Sequence, residues 1–162
     1  MFIGIDPGDR NLAIGMLSGG KLVGTHHINP RNFGFSGMLR HLLSVIDECG
    51  EEVSGVAIER FVAYKGVMTP SSETILMVIG GLHSTLSARG VPDDRILLMR
   101  AIDWKPMLCK KLFTEQGFRN PSTTFDKKFS LAAANAVCGS RPRTDHEADA
   151  ICLAACAQII LT

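Results

Sequence analysis

Three acidic residues stand where an acid is expensive to place. Asp6 closes the apolar run Ile3-Gly4-Ile5, Glu59 closes Val56-Ala57-Ile58, and Asp149 interrupts Ala148-Asp149-Ala150-Ile151. Burying a carboxylate costs several kcal/mol unless it is paired or bound to a cation. Ion pairing, for example Asp6 with Arg10 or Glu59 with Arg60, explains any one of them. Three in one chain point to a shared partner, and hard oxygen donors suit a divalent cation such as Mg²⁺ or Mn²⁺.

Spacing adds further donors. His146 and Asp149 are three residues apart and Asp145 and Asp149 four apart, so on a helix both pairs share a face. Thr144-Asp145-His146-Glu147 also reads as a capping box, with Thr144 as N-cap and Glu147 at the third helical position. The cap and the helix dipole account for Glu147 and Asp145, whereas His146 has no part in capping. It is either an exposed helix-start residue or a ligand.

The elements that must hold these residues follow from periodicity and turn chemistry. Residues 2–6, 11–17 and 21–28 read as strands, the last two joined by the hairpin pair Gly19-Gly20. Residues 29–37 read as loop. A helix over 38–48 carries Met38, Leu39, Leu42, Leu43 and Ile46 at helical spacing and ends at Gly50. Residues 55–61 form a fourth strand. After a loop over 62–69, Thr69-Pro70 starts a helix that runs to about residue 89, with Gly90 closing it. Residues 95–101 give a fifth strand and a short helix follows Asp103. Beyond a loop at 117–122, helices cover 125–137 and 145–160. The order βββαβαβααα predicts one α/β domain in which a three-stranded antiparallel meander is extended by parallel strands. The first and fourth strands can be neighbours, which brings Asp6 and Glu59 together at their ends.

Composition narrows the class. The chain has 162 residues, of which 46% are apolar and 20% charged, which excludes a disordered or collagen-like protein. Its net charge of +1 comes from 17 Lys and Arg against 16 Asp and Glu. The charge is sorted along the chain: residues 1–80 hold six bases and eight acids, residues 100–143 nine bases and three acids. Five cysteines without a CxxC pair argue against a disulfide framework or a zinc cluster. Cys152 and Cys156, one helical turn apart, read as small core residues. No signal peptide and no membrane span is expected, and a reducing cytoplasm is the expected compartment.

Gly4-Ile5-Asp6-Pro7-Gly8, Ala57-Ile58-Glu59, and His146-Glu147-Ala148-Asp149-Ala150 with Leu153-Ala154 resemble, in order and over nearly the whole chain, the RuvC family of Holliday-junction resolvases. That family belongs to the RNase H-like superfamily. The resemblance implies a single RNase H-like nuclease domain over 1–162, with a five-stranded mixed sheet flanked by helices. It implies a homodimer that acts in DNA recombination and repair and cuts four-way junctions symmetrically, with two Mg²⁺ or Mn²⁺ ions per site. Asp6, Glu59 and Asp149 match the family carboxylates and His146 the remaining ligand position, where members carry Asp or His. Asp145 is one residue out of register and ranks below it. Lys105 matches a basic residue near the active site, and Lys127 and Lys128 a second basic position. Residues 60–65 match a DNA-binding loop that inserts an aromatic wedge at the junction centre, either Phe61 or Tyr64, with Lys65 beside them. The helix at 70–89, with Gly80-Gly81, matches the dimer helix. Segments 29–36, 62–70 and 117–125 look more like those of phage-encoded relatives.

The chemistry agrees with that resemblance. Phosphodiester cleavage needs an activated water and stabilisation of the leaving oxygen, which two cations about 4 Å apart supply. Asp6 would bridge them, Glu59 would hold one, and Asp149 and His146 the other. Lys105, with Lys127 or Lys128, would neutralise phosphate, and the basic 100–143 stretch would make binding salt-sensitive. Three other readings remain: a related nuclease acting on other branched DNA, flaps or RNA; a junction-binding module without catalysis; and an actin-like phosphotransferase, which needs a second domain and more phosphate loops than this chain has.

Overall fold

Gly19 and Gly20 both take positive φ, 54° and 74°, the turn geometry that folds β2 (Leu12–Ser18) back onto β3 (Lys21–Ile28). β1 (Phe2–Asp6) pairs antiparallel with β2, completing the meander. β4 (Gly55–Glu59) then lies parallel to β1, and β5 (Ile96–Met99) parallel to β4. The resulting five-stranded mixed sheet has the order β3-β2-β1-β4-β5. This is a computed structural model, and it describes residues 1–62, 68–118, 124–139 and 141–162.

Helices cover both faces of the sheet. α1 (Pro30–Cys49) and α2 (Pro70–Ala88) enclose one core built on Ile3, Ile5, Ile14, Val56 and Ile58. α3 (Ala101–Cys109), α4 (Lys127–Cys138) and α5 (Asp145–Leu161) enclose the other, which contains Phe2, Ala57, Trp104, Phe129 and the buried thiols Cys152 and Cys156. α5 lies directly on the sheet. A β-carbon at Gly4 would stand 2.0 Å from the Ala150 carbonyl oxygen, and one at Gly15 would stand 2.8 Å from the Ile151 nitrogen. Only glycine permits that approach of helix to strand. The small residues Ala150 and Ala154 supply the other side of the contact.

The structure differs from the sequence expectations at several element ends. Residues 30–37 are helical rather than loop. Asn29 caps them by accepting a hydrogen bond from the Arg31 N–H at 3.0 Å, Pro30 occupies the first turn, and Gly34 (φ 62°, ψ 169°) breaks the helix before it resumes. β4 ends at Glu59 and not residue 61, and β5 spans four residues, preceded by a 3₁₀ turn at Asp93–Arg95. α2 is capped by Arg89, one residue before the expected Gly90. α3 starts at Ala101, ahead of Asp103, and runs on into a π-helical turn at Lys110–Glu115. α4 starts two residues later than expected, because Asp126 accepts hydrogen bonds from the Lys128 and Phe129 N–H groups. Among the described residues no helix is long and apolar enough to cross a membrane.

Candidate active site

Strand parity aims two carboxylates at the same helix. In β1, Ile3 and Ile5 enter the core beneath α1 and α2, whereas Phe2 enters the core beneath α3–α5. Successive side chains alternate between faces, so Asp6 shares the Phe2 face. In β4 the same alternation puts Ala57 in the α5-side core, and Glu59 shares its face. The parallel register pairs Ile5 with Ile58. One step further along, Asp6 and Glu59 stand side by side at the carboxyl ends of adjacent parallel strands, where open α/β sheets form functional crevices.

α5 completes the group from above. Thr144 caps it by accepting the Glu147 N–H at 3.1 Å. Glu147 in turn accepts the Arg143 N–H at 2.6 Å and the Thr25 hydroxyl of β3. Burial raises the Glu147 pKa, but these hydrogen bonds outweigh it and hold the carboxyl below its usual range. The helix start is therefore tied to the sheet. It delivers His146, whose Nδ1 lies 2.7 Å from Asp6 Oδ2, and Asp149, one turn further on. Lys105 of α3 places its Nζ 3.7 Å from Asp149 Oδ1 and 5.0 Å from the centre of the Trp104 ring. Lys127 places its Nζ 2.5 Å from Asp145 Oδ2.

These groups influence one another electrostatically. Burial pushes Glu59 up to about 7, and the charges of Asp6 and Asp149 push the same way, against Lys105 and the Trp104 indole. Asp149 is raised by burial, partly offset by Lys105 and Ser130, with Asp6 and Asp145 adding to the rise. The hydrogen bond to Asp6 raises His146 against the opposing effect of burial, and the charges of Asp6, Asp145 and Asp149 add to it. Asp145 is lowered, chiefly by its bond to Lys127. Burial and neighbouring charge raise Glu59 and Asp149, and a bound cation would relieve both.

The donor set fits hard divalent ions. Glu59 Oε2 and Asp149 Oδ1 are buried and close no hydrogen bond, so each keeps a lone pair unused. Among the described residues no three His, Cys, Asp or Glu side chains already stand close enough to hold an ion together. Instead, basic side chains stand against the carboxylates: His146 at Asp6, Lys105 at Asp149 and Lys127 at Asp145.

Of the residues singled out in the sequence, Asp6, Glu59, Asp149, His146, Asp145, Lys105 and Lys127 come together here. Lys128 is exposed at the start of α4. Phe61 is half-buried and packs against the core beneath α1 and α2. Tyr64 and Lys65 lie outside the described residues. Arg10 lies 3.9 Å from Asp9 rather than at Asp6. Sequence reasoning missed Trp104 and Ser130, which are buried beside the carboxylates with polar atoms that close no hydrogen bond. The only signal for them was the chain's single tryptophan standing next to Lys105.

No protein-family model and no curated protein matches the sequence. Solved structures do match. Thermus thermophilus RuvC in complex with a Holliday-junction substrate superposes with a TM-score of 0.66 at 19% identity, covering 94% of this chain and 88% of that one. A second Thermus thermophilus RuvC structure gives a TM-score of 0.62 at 20% identity, covering 94% and 89%. The resemblance first read from three short motifs thus holds for the whole architecture, and the chain has the α/β, RNase H-like fold of RuvC.

Proposed function

We propose that the protein is a structure-selective endonuclease that resolves four-way DNA junctions by symmetric, metal-dependent phosphodiester cleavage. The observation that carries this reading is the convergence of Asp6, Glu59, His146 and Asp149 from β1, β4 and α5 on a fold shared with a RuvC bound to a Holliday junction. Asp6, Glu59, Asp149 and the free Nε2 of His146 would hold Mg²⁺ or Mn²⁺, two ions per site. The chemistry supplied there is activation of a water and stabilisation of charge on the leaving oxygen. Lys105 stands against Asp149 and is placed to meet a phosphate oxygen. Lys127 and Lys128 at the exposed start of α4 extend that cationic edge. Phe61, Tyr64 and Lys65 belong to the segment proposed to enter the junction centre.

Symmetric cleavage requires two sites, hence a homodimer. The exposed face of α2 supports this: Leu76 and Met77 are 43% and 65% exposed, and a β-carbon at Gly80 would meet nothing within 4 Å. Gly81 has a different role, since its missing side chain is filled by the Phe35 ring of the same chain. The test is a cleavage assay over four-way, three-way, flap and linear DNA with Mg²⁺ and Mn²⁺. Paired nicks at symmetric positions of the four-way substrate are expected. Equal cutting of flaps or linear DNA would move the substrate to the wider nuclease class.

A further inference from the structure

Four buried polar side-chain atoms close no hydrogen bond among the described residues: Glu59 Oε2, Asp149 Oδ1, Trp104 Nε1 and Ser130 Oγ. Two are acceptors, one is a donor, and the hydroxyl can serve as either. A buried polar atom left unpaired costs about 1–3 kcal/mol, so four of them gathered at one place need a reason. Trp104 is fully buried and Ser130 is 1% exposed, so neither can turn to solvent.

Their placement supplies the reason. Trp104 shares a core with Ala57, the residue two before Glu59 on the same face of β4, and its ring lies 5.0 Å from the Lys105 ammonium. That ammonium is 3.7 Å from Asp149. Ser130 of α4 takes the Cys152 thiol on its carbonyl at 3.7 Å, and Cys152 follows Asp149 by one turn of α5. Each of these donors therefore stands beside one carboxylate whose buried oxygen closes no hydrogen bond. The influence of each group on its neighbour agrees: the indole lowers Glu59, and the Ser130 hydroxyl lowers Asp149.

We infer that Trp104 and Ser130 are positioning residues, whose indole N–H and hydroxyl orient the Glu59 and Asp149 carboxylates toward the divalent cations. The indole N–H and the hydroxyl would hold the two carboxylates in place for the ions that those residues would bind. This inference rests on the metal-dependent reading of the site. Partners of this kind fix ligand orientation, and their loss lowers metal affinity by about 10–100-fold.

The single tryptophan makes the idea directly observable, because the indole N–H gives one resonance in the ¹⁵N-labelled protein. Adding Mg²⁺ should move that resonance in the wild type and leave it in place in Glu59→Gln. By calorimetry, Trp104→Phe and Ser130→Ala should each bind Mg²⁺ about 10-fold or more weakly, and Ser130→Thr should return affinity to near wild type. If Trp104→Phe fails to fold, the Ser130 pair and the indole shift decide the matter. An unmoved indole and wild-type affinity in Ser130→Ala, with binding still lost in Glu59→Gln, would overturn the positioning role and leave the nuclease reading intact. Absence of Mg²⁺ binding to the wild type at millimolar concentration would overturn both.

Discussion

His146 Nδ1 lies 2.7 Å from Asp6 Oδ2, although the two residues are 140 positions apart. The contact engages Nδ1, so Nε2 is the nitrogen that would act as a ligand. A carboxylate behind a histidine is the usual support for a metal-bound imidazole, fixing its tautomer and orientation. Asp145, by contrast, is already paired with Lys127. His146→Ala should therefore reduce Mn²⁺-dependent cleavage more than Asp145→Ala does, compared as single-turnover rates on one junction. The reverse order would make Asp145 the ligand.

Asp6 ends the strand next to that of Glu59 and is hydrogen-bonded with His146, so it lies between the two. Asp6→Asn keeps the shape and hydrogen-bonding capacity but removes the charge. Cleavage should fall by about 10³-fold or more, with junction binding in gel shift retained. Wild-type nicking by this variant would remove Asp6 from the active site.

The three raised groups make stability depend on pH in one direction. Folded Glu59 keeps its proton up to about 7, whereas its ordinary value is 4.5. Between those values the folded protein binds more protons than the unfolded chain, so stability falls as pH rises. Asp149, also raised, contributes in the same sense from lower pH. His146 favours folding below 6.5, and that contribution disappears as pH rises through its raised folded value. The Glu59 part alone is about 3 kcal/mol. Denaturant midpoints in chelator should therefore decline from pH 5 to pH 8, and Glu59→Gln should flatten much of the decline. A midpoint that rises over that range would contradict the electrostatic description of the site.

Divalent ions should reverse that loss. A ligand that binds only the folded protein stabilises it by an amount that grows with its concentration, about 2.7 kcal/mol at 100 times Kd. At pH 8 the Tm should climb with added Mg²⁺ and return on chelation. Asp149→Asn should abolish most of the climb. A response unchanged in that variant would place the ion elsewhere.

Gly4 tests the scaffold and not the chemistry. Its β-carbon would stand 2.0 Å from Ala150 O and 2.3 Å from Ala154 N, both backbone atoms that cannot swing aside. Gly4→Ala should destabilise by about 3 kcal/mol or more, or prevent folding. Gly80→Ala, whose β-carbon meets nothing, should fold normally. Equal melting of the two variants would mean that α5 does not sit on β1 as described.

The strands and the carboxylates were legible because both signals are local. An acid ending an apolar run is conspicuous wherever the strand goes, and the strand order sufficed to bring the ends of β1 and β4 together. The helical turns at 30–37 were hidden because Asn29, Pro30 and Gly34 are also loop residues, and here they act as cap, first-turn residue and break. Trp104 and Ser130 were hidden for a different reason. Their importance lies in which carboxylate each stands beside, and that depends on how α3 and α4 dock. Lys127 was legible as a basic residue, but its ion pair with Asp145 was not, since it joins the starts of two separate helices.

The contact of α5 with β1 also has a bearing on the order of synthesis. His146 and Asp149 leave the ribosome 87 and 90 residues after Glu59. A growing chain can therefore pair β1 with β4 and still lack two of the four residues proposed as metal ligands. On the proposed function, cutting power would arrive only when α5 settles onto Gly4 and Gly15. An incomplete or poorly folded chain would then pose little danger to the DNA around it.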